Sequence, residues 1–198
     1  MAIGKKEWFS IDNKPIYLAH GSFGGCFRDA YEDRLIWYEK LEKNPHDFLV
    51  NELFDELKES RKALANYLNC DFNSLVYFPN PSTALNTVIR SLDLSENDEV
   101  LTSNHEYGAL EKTWNFYSEK RGFKYKKVKI DIPYDDENFF IDLFKKSISK
   151  NTKVIFLSHI TSSTALIFPV EKICKIAKDN NILTIIDGAH APAQISLD

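Results

Sequence analysis

The sequence predicts an α/β fold: a mostly parallel sheet with flanking helices. Three observations carry this prediction. From residue 75 onward, short apolar runs alternate with amphipathic stretches at helical spacing. The runs are short and apolar, as expected of parallel strands covered on both faces. Hydroxyls, imidazoles, an aromatic and an acid gather directly after those runs, where the carboxyl ends of the strands would lie.

A short extended piece at 15–18 leads into the glycine-bearing turn "AHGSFGGC" (19–26). A first helix is expected over roughly 27–42. A second is announced by Asn44 as cap and Pro45 as first helical residue, a position where the missing N–H costs nothing. In it Val50, Leu53, Phe54, Leu57, Leu64 and Leu68 recur at helical spacing and predict one buried stripe. The alternation then begins with "LVYF" (75–78) as a strand and "STALNTVIRSL" (82–92) as a helix. "EVLTS" (99–103) is a strand and "ALEKTWNFYSEKR" (109–121) a helix; "FKYKKVKI" (123–130) is a strand and "FFIDLFKKSI" (139–148) a helix. "KVIFLS" (153–158), "VEKICKIAKDN" (170–180) and "ILTIID" (182–187) complete the series as strand, helix and strand. Lysines at 124, 126, 127 and 129 mark "FKYKKVKI" as a solvated edge strand, since charge there discourages strand addition.

Composition narrows the function classes. A net charge of −4 gives no global attraction for nucleic acid or an anionic membrane. No apolar run approaches the ~18 residues of a membrane span, and "MAIGKKEWFS" lacks the apolar core of a signal peptide. Cys26, Cys70 and Cys174 are scattered and odd in number, which fits a reducing cytoplasm and neither a disulfide framework nor a zinc site.

Four stretches fall at strand ends: "PNPSTALN" (79–86), "SNHEYGA" (103–109), "SHITSSTA" (158–165) and "DGAHAPA" (187–193). Ser82 and Thr83 lie where a loop becomes a helix, and free N–H groups with the helix dipole attract an anion there. Alternatively, Ser82 merely caps the helix. No G-x-G-x-x-G and no P-loop lysine occurs, so nucleotide-binding signatures are absent. Asp187 stands behind mostly apolar residues; a buried carboxylate needs a cationic or hydrogen-bonding partner, or serves as a turn residue. His190 could share a metal with Asp187 and His159, but compact ligand spacing is lacking and no metal is expected. Tyr107 alone reads as packing, and His20 and His46 alone carry no signal. Together the groups suit a flat, phosphorylated, nitrogen-containing ring: phosphate on the helix, ring against Tyr107, ring nitrogen on Asp187. That describes pyridoxal phosphate.

The motifs "YLAHGSFGGC", "NPSTALNTVIRSL", "NHEYGAL" with a following "TW", "SHITSSTALIFPVEKI" and "IIDGAHAPAQISLD" span residues 17 to 198. In order and spacing they resemble the class V aminotransferases, fold type I pyridoxal-phosphate enzymes, and most closely the isopenicillin-N epimerase-like branch. The resemblance implies that Ser82 and Thr83 bind phosphate through hydroxyl and backbone N–H. It places Tyr107 where relatives stack a residue on the ring, and Ser162 where they often have an asparagine near the phenolic oxygen. It makes Asp187 the partner of the pyridine nitrogen and His190 a hydrogen-bonding partner of the phenolic oxygen. His20, Gly21 and Ser22 fall in a segment that closes over the substrate in relatives.

One departure is severe. The family's Schiff-base lysine lies about one strand and turn past the acid, and no lysine follows Asp187 here; Lys172, Lys175 and Lys178 precede it. The expectation is therefore a large domain truncated at its C-terminus: residues 1–70 as an N-terminal segment with helices, and 71–198 as an incomplete cofactor-binding domain. The catalytic lysine and C-terminal small domain would be absent, and this portion inactive. The full-length form is expected to be a cytoplasmic homodimer acting on a small-molecule amino-acid substrate. Alternatives are a cysteine desulfurase or selenocysteine lyase-like enzyme, a non-catalytic binding or scaffold protein derived from such an enzyme, and a metal-dependent hydrolase built on His159, Asp187 and His190.

Overall fold

A computed structural model describes residues 8–12, 16–133 and 136–197, so Pro15 of the expected extended piece lies outside the described residues. The chain forms two compact units, Met1–Val76 and Tyr77–Leu197.

In the first unit, Phe9 and Phe27 form an antiparallel bridge, and α1 (Arg28–Lys43) follows. The second expected helix is three consecutive segments: α2 (Pro45–Asp47), a π-helical turn Phe48–Glu52, and α3 (Leu53–Leu68). Asn44 caps it as the sequence predicts, accepting the Asp47 N–H at 3.3 Å. Asn69 ends it in the left-handed region at φ 50°, with its N–H returned to the Ala65 carbonyl. Lys40 of α1 ties down the far side through Glu52 (2.6 Å) and Glu56 (3.0 Å).

The expected buried stripe needs correction. Only Phe48 and Ala65 are buried on these segments, whereas Phe54 is 73% exposed and Val50 and Leu57 are also exposed. Helical spacing lines the side chains up, but burial needs a second apolar layer, and this unit does not supply one over that face.

The second unit is built on a four-stranded, wholly parallel sheet. Its elements are α4 (Pro81–Ser91), β1 (Glu99–Ser103), α5 (Gly108–Arg121), β2 (Lys124–Val128), α6 (Glu137–Ser147), β3 (Thr152–Ser158), α7 (Val170–Asp179) and β4 (Leu183–Asp187). The strand order is β2-β1-β3-β4. Alternate strand residues feed two cores. Val100, Val154, Phe156 and Ile185 pack with Leu85 and Ile89 of α4 and Leu110 and Trp114 of α5. Leu101, Val128, Ile155 and Leu157 pack with Phe140, Ile141 and Phe144 of α6 and Ile173 and Ala177 of α7. This is the double covering that the apolar strand runs require.

The lysine-bearing strand β2 is at the edge. Lys127 pairs with Glu111, Lys129 with Asp131 at 2.9 Å, and Lys126 reaches the Ser147 carbonyl at 2.6 Å. "LVYF" is not a strand. Leu75 has extended backbone at φ −102°, ψ 136°, but 75–78 joins no ladder, and Val76 is 73% exposed. An apolar, β-prone tetrapeptide becomes a strand only when a neighbour accepts its hydrogen bonds.

Packing of the first core tests this arrangement. Phe156 is fully buried against Trp114, with ring centroids 5.5 Å apart. Phe156→Ala is expected to destabilise the second unit by about 3–5 kcal/mol in urea unfolding. Phe139→Ala, at a 57% exposed position on α6, should change it by less than about 0.5 kcal/mol.

Candidate active site

In an open parallel sheet the ligand crevice lies where neighbouring strands send their connections in opposite directions. The order β2-β1-β3-β4 puts that point between β1 and β3. Here the ladder stops early. β1 and β3 pair from Glu99↔Thr152 to Leu101↔Ile155 only, while β1 follows β2 to Ser103↔Val128 and β3 follows β4 to Ser158↔Asp187. The two central strands therefore part at their carboxyl ends.

The loop after β1 is tied down on one side. Asn104 accepts the Ile130 N–H at 2.8 Å, and His105 Nε2 meets the Ile130 carbonyl at 2.8 Å. Glu106 turns inward to bridge the parted strands. Its Oε1 accepts the Ser103 hydroxyl at 2.5 Å, and its Oε2 accepts the Ser158 N–H at 2.8 Å and the Ser158 hydroxyl at 2.7 Å. Burial pushes this carboxyl above its ordinary value of 4.5; the donated hydrogen bonds oppose that rise and the charge of Asp187 adds to it. Tyr107, 44% exposed, stands at the start of α5.

Asp187 ends β4 with only 6% of its surface exposed. Its Oδ1 accepts the Ala189 N–H at 3.0 Å, and its backbone carbonyl accepts the His159 N–H at 2.9 Å. So it does serve as a turn residue, but with one oxygen only: Oδ2 takes no hydrogen bond, and Asp187 forms no ion pair, among the described residues. His190 is half-buried in the turn that follows.

The phosphate-site expectation changes in detail. Asn80, not Ser82, caps α4, accepting the Thr83 N–H at 2.8 Å, with Pro81 as first helical residue. The Thr83 N–H is thus already engaged. The donors left at this helix start are the Ser82 N–H and the two hydroxyls. α4 and α5 run side by side: Thr113 bonds Asn86 at 3.0 Å, each five residues past its helix start, and Arg121 reaches the Leu92 and Arg90 carbonyls at the far end. The starts of both helices, bearing Ser82 and Tyr107, therefore lie at the same end of the unit, past the carboxyl end of β1.

Past β3 the chain makes a tight hairpin through the Ile160–Ile167 bridge. Thr161, buried, anchors it by accepting the Leu166 N–H at 2.8 Å and meeting the Thr164 hydroxyl at 2.7 Å. Ser162 is exposed at the tip. His20, Gly21 and Ser22 belong to the first unit, where His20 packs against Phe9 and Tyr17 and faces the Gly25 N–H at 3.4 Å. Among the described residues no three His, Cys, Asp or Glu side chains are grouped to hold a metal ion, so His159, Asp187 and His190 do not assemble as the hydrolase alternative requires.

Nothing in the sequence pattern singles out Glu106, which sits in a polar loop. The available signal was a glutamate flanked at two strand ends by serines, Ser103 and Ser158.

The donor set fits a phosphorylated pyridine: free N–H and hydroxyls at a helix start, an exposed tyrosine, and a buried carboxylate with one open oxygen. The family model for aminotransferase class-V matches residues 30–198. The chain belongs to the class-V aminotransferase family, whose cofactor is pyridoxal phosphate. Isopenicillin N epimerase of Streptomyces clavuligerus is 30% identical over 189 residues, covering 95% of this chain and 47% of that protein. Hercynylcysteine sulfoxide lyase of Schizosaccharomyces pombe is 23% identical over 194 residues, 98% of this chain and 49% of that protein. Among solved structures, a C-DES mutant with glycine covalently linked to its PLP cofactor matches with a TM-score of 0.87 at 21% identity. The match covers 98% of this chain and 52% of that one, and it establishes the fold. The chain spans about half the length of the curated relatives it matches.

Two outcomes are expected. Asn80→Ala removes the α4 cap and should cost about 1 kcal/mol in urea unfolding. The buried Glu106 makes stability fall with rising pH. The folded chain holds that proton more tightly than the unfolded chain, so its contribution is complete below the unfolded value and lost as pH rises through the folded one. The stability difference between wild type and E106Q, followed by urea unfolding upward from pH 4.5, should shrink through that window and then level off.

Proposed function

We propose that this chain is the cofactor-holding portion of a pyridoxal-phosphate enzyme acting on an amino acid, with isopenicillin N epimerase-like chemistry at Cα. The observation that carries this reading is Asp187, buried at the end of β4, with one carboxylate oxygen taking no hydrogen bond and no ion pair among the described residues. A protonated pyridine nitrogen is the partner such a group lacks.

When bound, the cofactor draws electrons out of a bond at the substrate's Cα. Asp187 holds the proton on the ring nitrogen that this needs. Ser82, by N–H and hydroxyl, and Thr83, by hydroxyl alone, hold the phosphate at the start of α4, where the helix dipole favours an anion. Tyr107 would stack on the cofactor ring, and Ser162 and His190 would hydrogen-bond its phenolic oxygen.

No lysine follows Asp187 in these 198 residues. We therefore place the covalent anchor, and the base that moves the Cα proton, outside this chain. The whole enzyme is proposed to be a cytoplasmic homodimer. Three free thiols and the exposed apolar side chains of α1 and α3 support that, and no helix among the described residues is long and apolar enough to cross a membrane. A second reading, cleavage of a C–S bond, is favoured by the likeness to hercynylcysteine sulfoxide lyase.

The test is to mix the purified chain with pyridoxal phosphate, reduce with borohydride and map labelled lysines by mass spectrometry. Weak binding, scattered substoichiometric labelling and no epimerase, lyase or transaminase turnover are expected. One stoichiometric adduct together with turnover would overturn the assignment of the lysine. In a protein completed by a C-terminal half, Asp187→Ala should remove most activity.

A further inference from the structure

We propose that Glu106 is a positioning residue for Asp187, bracing the gap between β1 and β3 and so fixing where the Asp187 carboxylate stands. This rests on the reading of Asp187 as partner of the cofactor's ring nitrogen. The chain of contacts is short, and Ser103, Glu106, Ser158 and Asp187 are buried. Glu106 receives the Ser103 hydroxyl from β1 and both the N–H and hydroxyl of Ser158 from β3. Ser158 is the register partner of Asp187, and the next residue, His159, donates its N–H to the Asp187 carbonyl at 2.9 Å.

Beyond Leu101 and Ile155 the two central strands share no ladder, so these side-chain bonds take over where the backbone pairing ends. A carboxylate suits this place because it can accept from three donors at once; an amide oxygen accepts from two at most and its nitrogen only donates. Hydrogen bonds to a charged group in a buried setting are also roughly twice as strong as neutral ones.

The consequence reaches the site. Asp187 is held on its backbone by β3, and β3 is held at that level by Glu106. Loosening Glu106 lets the end of β3 move away from β1 and carries Asp187 with it. A sub-ångström shift of the carboxylate is enough to spoil a hydrogen bond to a ring nitrogen. The titratable groups around Glu106 are Asp187 from β4, Tyr125 from β2, His105 and Tyr107 from its own loop, and His159 past β3.

The decisive experiment needs no cofactor. Amide hydrogen exchange in the 198-residue chain is compared for wild type, E106A and E106Q. Exchange at both Ser158 and His159 should accelerate at least about tenfold in E106A and about threefold in the isosteric E106Q, with Val100 and Val154 in the core unchanged. If E106A does not fold, E106Q decides alone. Acceleration confined to Ser158 would show that the brace stops short of Asp187 and would overturn the proposal. A second readout follows the Glu106 carboxyl carbon by NMR against pH. Its midpoint should fall in D187N, because a neighbouring negative charge is gone; an unchanged midpoint counts equally against the proposal. The cofactor reading is separated by titrating 4′-deoxypyridoxine 5′-phosphate, which needs no lysine. Equal binding by wild type and D187N would sink that reading and leave the exchange result standing.

Discussion

The parting of β1 and β3 is the constraint around which the second unit is arranged. A parallel sheet covered on both faces keeps water from its backbone, so every strand end must find hydrogen bonds inside the protein. Between β2 and β1, and between β3 and β4, the ladder itself provides them to the last residue. Between β1 and β3 it does not, and Ser103, Ser158 and Glu106 close the difference. A polar, buried junction in the middle of an apolar sheet is costly unless fully satisfied. Glu106, Ser103 and Ser158 satisfy one another here, at the point where the backbone ladder between the two strands ends.

Polar residues at the four strand ends divide into two sets. Asn80, Asn104, His105 and Thr161 spend their hydrogen bonds on local backbone: a helix start, the end of β2, and the hairpin past β3. Among the described residues, the side chains of Ser82, Tyr107 and Ser162 and the Oδ2 of Asp187 take no hydrogen bond. Ser82, Tyr107 and Ser162 each sit one or two residues from one of those engaged residues, Asn80, His105 and Thr161. Such pairing of a locked neighbour with a free functional group is how loops can present side chains at defined positions.

Much of this was legible in the sequence, for identifiable reasons. Parallel strands covered on both faces are apolar throughout, so "EVLTS", "KVIFLS" and "ILTIID" stood out, and strand ends then located the polar clusters. The lysines of "FKYKKVKI" announced an edge because exposure is a property of single residues. Pairing is not. "LVYF" has the composition of a strand and joins no ladder, and the stripe from Val50 to Leu68 has the spacing of a buried face and is largely exposed. At the start of α4 the cap is Asn80 with Pro81 as first helical residue, the same Asn-Pro pair that Asn44 and Pro45 form at α2. Glu106 was hidden because its importance lies in Ser158, 52 residues away.

Electrostatics gives the final argument. Glu106 and Asp187 are both buried carboxylates within reach of each other's charge, and among the described residues neither forms an ion pair. The chain as a whole carries −4, so no general excess of cations offsets them. Hydrogen bonds from Ser103, Ser158 and Ala189 share the load on three of the four carboxylate oxygens. The fourth, Oδ2 of Asp187, takes no hydrogen bond among the described residues. A buried site that holds two acids and leaves one oxygen open favours a ligand bearing a proton on a weakly basic nitrogen, because binding then relieves a like-charge repulsion the fold cannot relieve alone. Under the proposed function, a ring nitrogen would meet that demand with its phosphate at the start of α4, and a simple cation would satisfy only half of it.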